Sequence, residues 1–395
     1  MKFPSFFALA LVCLLSVLVL TSTASTPQAP PPPDPNVNGK ILFTLNSSHE
    51  LWVMNADGSS RRKLISVTGE LRNPKGSPDG TKILFEQDYN FYVMSADGCT
   101  PINITPNSTG NYAADWSPDS TKIAFTSDRD GGRSNIYIVN TDGSNLTKIT
   151  NSDGVTIFSN SHPAWSPDGT KIAFSSSRDP QVDDFGTRAA ELYVMSPTGG
   201  SPTRLTHTYP QYNGGQPIPT ESHSFIYPVW SPDSTKIAAV RVSHADSYGL
   251  DGFYVINASD TSGESLRRLS NDGIYNDYLD SRTERKVAWS ADSSKITYRS
   301  GNGIYVINPD GSGKTLLSGG SSTYEDPVFS PDGAKIAYIY LPASGGSEIY
   351  SVNADGSGLA NITNTTSLSE VDVAWGSYTP PPCACPAIPI RSTRP

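Results

Sequence analysis

Apolar residues in this chain fall in short runs of four to six, often alternating with polar ones and bounded by clusters of Ser, Pro, Asp and Gly, the signature of strands joined by tight turns. One such run recurs: Lys40-Ile41-Leu42-Phe43, Lys82-Ile83-Leu84-Phe85, Lys122-Ile123-Ala124-Phe125, Lys171-Ile172-Ala173-Phe174, Lys236-Ile237-Ala238-Ala239, Lys295-Ile296-Thr297-Tyr298 and Lys335-Ile336-Ala337-Tyr338, seven copies in all. Each is followed by a second apolar run, as in Leu51 to Asn55, Ile136 to Asn140 or Ile304 to Asn308, and usually by Asp-Gly. Six of the first runs follow a turn of the Ser-Pro-Asp-Gly type, and five of those turns follow an aromatic: Trp116, Trp165, Trp230, Trp289 or Phe329. The copy at Ser77 to Gly80 lacks the aromatic.

Self-similarity at this spacing decides the architecture before any local assignment. Proline presets φ at the second turn position and Asp-Gly accepts the positive φ of tight hairpins. Each copy therefore reads as strand, tight turn, strand, looser loop, strand, hairpin and short outer strand such as Lys148-Ile149-Thr150. That is a four-stranded meander of roughly 40 to 65 residues, the size of a propeller blade. Gly39-Lys40 has no aromatic-plus-turn strand before it, whereas Val371-Asp372-Val373-Ala374-Trp375 is left without a blade of its own. The expected fold is all-β: a seven-bladed β-propeller of four-stranded antiparallel blades over 39–376, its ring closed by this C-terminal strand, which removes exposed sheet edges.

Units of the form Trp-Ser-Pro-Asp-Gly-Thr-Lys-Ile-Ala-Phe followed by Ile-Tyr-Val-Met-Asn-Ala-Asp-Gly resemble the TolB-like propeller repeat family. The likeness covers about Gly39 to Trp375 and implies the scaffold, with an extracytoplasmic binding role as the corresponding expectation. The α/β domain that precedes the propeller in TolB has no counterpart here; a proline-rich stretch stands in its place. Prolyl peptidases and some polysaccharide-degrading enzymes share the repeat, so the resemblance fixes the fold and not the chemistry.

The flanks refine this picture. Met1-Lys2, the fifteen mostly apolar residues from Phe6 to Leu20 and the small residues Ser22 to Ala24 have the layout of an export signal over 1–24. The apolar run is short for a membrane span, which needs about 20 residues, so a secreted or periplasmic mature chain without a stable span is expected. Residues 25–38, with Pro30 to Pro33, read as an extended linker, and 377–395 as a second proline-rich tail. Beyond the signal there are only Cys99, Cys383 and Cys385, too few for a disulfide framework. The formal charge of −9, without a basic stretch, argues against a nucleic-acid partner.

Candidate chemistry is sparse. No Gly-x-Ser-x-Gly nucleophile elbow exists. Gly311 to Thr315 imitates a phosphate loop but lies at a hairpin between strands, and Asp128-Arg129-Asp130 has the flavour of a calcium loop without its distal ligands. The repeated tryptophans read as inter-blade packing. All five histidines fall on the longer loops or their edges: His49, His162, His207, His223 and His244. Convergence of His162, His223 and His244 would make a metal site of the lyase kind, although no cofactor is expected on the residue pattern alone. The blade period stretches from about 40 residues to about 65 after Lys171 and about 59 after Lys236. The insertions carry Asp183 and Asp184, then His207, Tyr209, Tyr212 and His223, then Tyr275 and Asp277, aromatics mixed with carboxylates that suit a protein, peptide or cell-wall glycan. The leading expectation is a non-enzymatic, monomeric binding or scaffold propeller, and the alternative is a metal-assisted carbohydrate-active enzyme using loop histidines.

Overall fold

The computed structural model describes residues 39–45, 49–106, 110–151, 158–178, 189–207, 212–213, 216–217, 223–243, 250–270, 287–301, 303–320, 323–365 and 368–378. The export signal, the proline linker, nearly all of the tail and most of the long insertions lie outside them. Seven four-stranded antiparallel sheets form the blades, and one further short hairpin joins Tyr212–Asn213 to Gln216–Pro217.

The innermost strands of blades 2 to 7 are Leu71–Gly76, Asn111–Trp116, Asn160–Trp165, His223–Trp230, Val287–Trp289 and Thr323–Phe329. Blade 1 takes its innermost strand from the other end of the chain: Glu370–Gly376 pairs antiparallel with Lys40–Leu45, setting Ile41 opposite Trp375 and Phe43 opposite Val373. The ring closes as the repeat order predicts. The second strands, which carry the Lys-Ile motif, are covered on both faces by neighbouring blades, so Ile41, Ile123, Ile172, Ile237, Ile296 and Ile336 are fully buried.

Hydrogen bonds explain why the turn motif has its residues. Ser117 Oγ donates to Asp119 Oδ1 at 2.6 Å and accepts from Lys122 N at 2.9 Å, and the same pair of bonds recurs at Ser77, Ser166, Ser231, Ser290 and Ser330. The fourth turn residue is left-handed. Glycine takes it without strain at Gly80, Gly169 and Gly333, whereas Ser120, Ser234 and Ser293 hold φ of 59° to 61°. Those serines gain something glycine cannot supply: each accepts a hydrogen bond from the turn of the preceding blade, Asp79 N to Ser120 Oγ, Asp168 N to Ser234 Oγ and Asp233 N to Ser293 Oγ, at 3.0 to 3.1 Å.

The aromatic ahead of each turn joins blade to blade. Trp116 Nε1 donates to Lys75 O, Trp230 Nε1 to Ala164 O and Trp289 Nε1 to Val229 O, each about one blade back and 3.0 to 3.1 Å away. Blade 2 has Gly76 at this position, and the closing segment fills the vacancy. Tyr378 is buried there, its hydroxyl accepts from Gly76 N at 3.1 Å, and a Cβ on Gly76 would lie 1.5 Å from Tyr378 Cε1. The missing aromatic is supplied from the far end of the chain. Just beside it, a Cβ on Gly80 would lie 2.1 Å from Ser377 O.

Closure is therefore tied twice, by the strand pairing in blade 1 and by Tyr378 in blade 2. Truncation before Val371 should unfold the ring cooperatively, truncation after Tyr378 should leave the melting temperature almost unchanged, and Tyr378→Ala should cost about 3 kcal/mol as a large-to-small core change. Denaturant melts of the three proteins check the order.

Candidate functional site

The innermost strands meet around an axial channel, and they are not regular there. Their pairing with the second strand breaks between Arg72 and Lys75, Tyr112 and Ala114, Ser161 and Ala164, Ile226 and Val229, and Glu325 and Val328. In each break, three residues before the aromatic position, stands a non-glycine residue in the left-handed region: Asn73, Ala113, His162, Tyr227 and Asp326, with φ between 49° and 56°. Proline follows four of them, at Pro74, Pro163, Pro228 and Pro327; lacking an N–H, it loses no ladder bond at a bulge. Left-handed backbone at such residues costs of order 1 kcal/mol or more, and it clusters where side chains must be aimed.

What the bulges aim at is the channel. One cavity of about 360 Å³ is lined by Ala113, His162, Tyr227 and the aromatic ends of five innermost strands, Trp165, Trp230, Trp289, Phe329 and Trp375. A second, of about 430 Å³, opens among the tight turns and is lined by Pro78, Pro118, Pro167, Pro331 and Tyr378. Lys75, Asp115, Trp165, Pro167 and Trp375 border both.

Within the channel His162 lies edge-on to Tyr227, with ring centroids 4.3 Å apart, and 6.0 Å from Tyr112 on the other side. Its backbone N donates to Thr126 Oγ1 at 3.0 Å, which fixes the bulge. Tyr112 hydrogen-bonds Ser134 Oγ at 2.7 Å, and burial raises its phenol above the ordinary value. Asp115 Oδ2 accepts from Trp165 N at 2.9 Å, and the Lys75 ammonium donates to the Ala114 carbonyl. The Trp165 and Trp375 indole N–H groups are buried without a hydrogen-bond partner, unlike the three that reach a neighbouring carbonyl. Among the described residues the arrangement offers aromatic faces, one cationic and one acidic side chain, elements that suit recognition.

Of the described histidines, only His162 departs from the expected loops and loop edges. His162 is not on a long loop but in the innermost strand of blade 4, inside the channel. His223 opens the innermost strand of blade 5 and is half-buried. His207 is exposed beyond the outer strand of blade 4, its Nε2 3.0 Å from Thr261 O, and His49 sits in the hairpin turn of blade 1. Tyr212 lies in the short extra hairpin. Asp183, Asp184, Tyr209, His244, Tyr275 and Asp277 fall outside the described residues, among which no group of three or more His, Cys, Asp or Glu side chains is gathered as for a metal ion. Sequence reasoning passed over Lys75, Tyr112, Asp115 and Tyr227. Of these only Tyr227 lies in the repeat column three residues before the aromatic, whose occupants change from blade to blade and are followed by proline in four of five blades.

The other motifs resolve as ordinary structure. Asp130 accepts from Tyr137 OH at 2.7 Å and from Lys148 Nζ at 2.8 Å, with the Arg129 guanidinium over Phe125 and Tyr137. Lys314 of the glycine-rich hairpin lies over the Tyr305 ring at 4.4 Å. Cys99 is buried.

Two measurements probe this geometry. Trp→Phe at 116, 230 or 289 should each cost about 1 kcal/mol, the worth of a hydrogen bond whose acceptor is left buried, whereas Trp165→Phe should cost less; urea melts distinguish them. At the turns, partial burial pushes Asp79, Asp119, Asp168, Asp233 and Asp332 upward, but hydrogen bonds from the turn residues outweigh it and all are lowered, as is Asp292 through Ser290. Carboxyls lowered on folding contribute stability that is present above their unfolded value and lost as pH falls through the folded one. The melting temperature should therefore fall steeply as pH drops below about 4, and less steeply when several of these turns carry Asn.

Comparison with known proteins agrees with the architecture. The chain matches the TolB beta propeller domain family over residues 43–157 and 111–241. It is 26% identical over 191 residues to the uncharacterized protein Atu1656 of Agrobacterium fabrum, covering 40% of this chain and 64% of that protein, so the match spans less than two thirds of the relative. Among solved structures it is similar to TolB from Acinetobacter baumannii (17% identity, TM-score 0.48, 87% of this chain and 67% of that one). It is also similar to a puromycin-hydrolyzing peptidase of Mycobacterium tuberculosis (14%, 0.56, 80% and 49%) and to an oligogalacturonate lyase in complex with manganese (13%, 0.54, 79% and 89%). At these identities the likeness is one of fold. Repeat, ring and family match together make this chain a member of the TolB β-propeller family.

Proposed function

We propose that this protein is an exported, non-catalytic binding propeller that holds a protein, peptide or cell-wall glycan partner on its axial channel and the adjoining loop face of blades 4 to 6. The observation that carries the reading is the set of left-handed bulges. A repeat that keeps its packing residues constant spends backbone strain at one column, and there it presents different side chains, His162 and Tyr227 among them, to a lumen instead of to the next blade. Strain held against a cavity suits pre-organised recognition, which lowers the ordering cost of binding. A nucleophile with an adjacent base, the minimum for hydrolysis, has no counterpart among the described channel residues. The aromatic and acidic residues of the long insertions, Tyr209, Tyr275 and Asp277 among them, are the sequence features that suit the same role.

Affinity capture from the host's extracytoplasmic fraction, together with a panel of soluble cell-wall glycans, tests this. Wild type should enrich a defined species, His162→Ala with Tyr227→Phe should weaken its capture while keeping the fold by circular dichroism, and a Gly-Ser replacement of Tyr209 to Ser222 should weaken it about tenfold or more. Equal capture by all three proteins would move the binding surface elsewhere.

A further inference from the structure

In two blades a carboxylate at one position of the repeat receives a cation. At the first position of the third strand, Glu50 is met by Lys63 Nζ and Glu191 by Arg204 Nη2, both at 2.9 Å. In each case the cation comes from the outer-strand residue paired two positions along, Lys63 opposite Trp52 and Arg204 opposite Tyr193. Blade 7 has Glu348 at this position, but the residue opposite Tyr350 is Asn361. Its side chain instead accepts from Thr363 N and Asn364 N. Glu348 is left to Thr363 Oγ1 at 2.8 Å and Thr365 N at 2.9 Å.

A second carboxylate sits beside it. Glu370, the first residue of the closing strand, is 1% exposed. Thr365 Oγ1 lies 2.7 Å from Glu370 Oε1 and 3.3 Å from Glu348 Oε2, so one hydroxyl hydrogen stands between two acceptors. Glu370 Oε2 is buried with no hydrogen-bond partner. An ionised carboxylate in that position would hold an unmatched charge, whereas a protonated one would not. The groups facing it are Glu348 from blade 7, which opposes ionisation, and Arg61 from blade 1, which favours it but is already donating to Ile362 O at 2.8 Å and Gly58 O at 3.0 Å.

We propose that Glu370 and Glu348 form a proton-operated latch on the ring closure: with a proton on Glu370 the loop-face end of the closing strand stays docked between blades 7 and 1, and release of that proton to solvent loosens it. The site lies at the irregular end of the closure: the pairing of Glu370 with Leu45 follows a shift in register, Glu370 N reaches Ser347 O at 3.4 Å, and Ser347 Oγ donates to Glu370 O. Burial raises the Glu370 carboxyl from 4.5 to about 7, Glu348 adding to the effect while Thr365 and Arg61 act against it. With the folded value above the unfolded one, the stabilisation is complete below the ordinary glutamate range and is lost as pH rises through about 7. This is opposite in sign to the turn aspartates. The latch responds within the range a cell exterior traverses.

Hydrogen exchange of the full chain at pH ~5.5 and ~8.5, corrected for intrinsic rates, reads the latch directly. Peptides spanning 40–45 and 370–376 should lose about tenfold or more of their protection at the higher pH, while 172–176 in blade 4 should not. In Glu370→Gln the step should vanish, and in Glu348→Gln it should shrink. Equal wild-type protection at both values, or an undiminished step in Glu370→Gln, would overturn the proposal. Should the Gln variant fail to fold, carbon-13 glutamate spectra of wild type decide: one carboxyl titrating near neutrality supports the latch, and titration of every glutamate below pH ~5.5 overturns it.

Discussion

A ring of sheets has no starting point, but the chain that builds it has two, and the pairing of Glu370–Gly376 with Lys40–Leu45 is the constraint on which every other contact depends. Each blade buries its second and third strands against its neighbours, so no blade is complete until both flanks are occupied. If the closing strand leaves, blade 1 loses its innermost strand and blades 7 and 2 lose a face. Tyr378 enlarges this dependence by entering blade 2, where Gly76 leaves room for it. The one blade without its own aromatic is the one that adjoins the seam.

The inter-blade bonds share a logic. Three tryptophan N–H groups and three turn serines each reach about one blade away, so these polar atoms are satisfied by a neighbouring blade and not within their own sheet. Such bonds are worth little singly, about 1 kcal/mol. Repeated around a ring, they define the rotation between blades and with it the diameter of the channel. The interior wall is thereby rigid, which is what allows five innermost strands to keep left-handed residues at their bulges.

The fold was legible because the residues that make it are those the repeat cannot vary. Ser117, Asp119, Ile123 and Trp116 have the same tasks as their copies, and their spacing alone specifies blade number, strand order and closure. The site was far less legible. His162 was visible as a histidine, yet a bulge that turns it into the channel comes from a one-residue slip in pairing with Ile172–Ser176, and no residue type announces such a slip except the proline that follows. Lys75 and Asp115 look like ordinary polar positions of alternating strands. Only the ring geometry gathers them with Trp165 and Trp375 around one space. The Glu348–Glu370 pair was hidden for a further reason, since its meaning rests on an Asn361 where both other blades with a glutamate at the Glu348 position have a cation.

Two groups of carboxyls with opposite pH responses then occupy the two faces of the same ring. The turn aspartates are held ionised by hydrogen bonds from Ser and Thr, and their contribution grows as pH rises out of the acid range. Glu370, at the opposite end of an innermost strand, is held protonated by burial, and its contribution declines toward neutrality and above. Between these limits both faces are at their firmest. A binding propeller working outside the cytoplasm would then be stiffest in mildly acidic surroundings, and above neutral pH its loop face would loosen first. The same proton that seals the ring would then also set how readily the loop-face ends of the strands adapt to a partner.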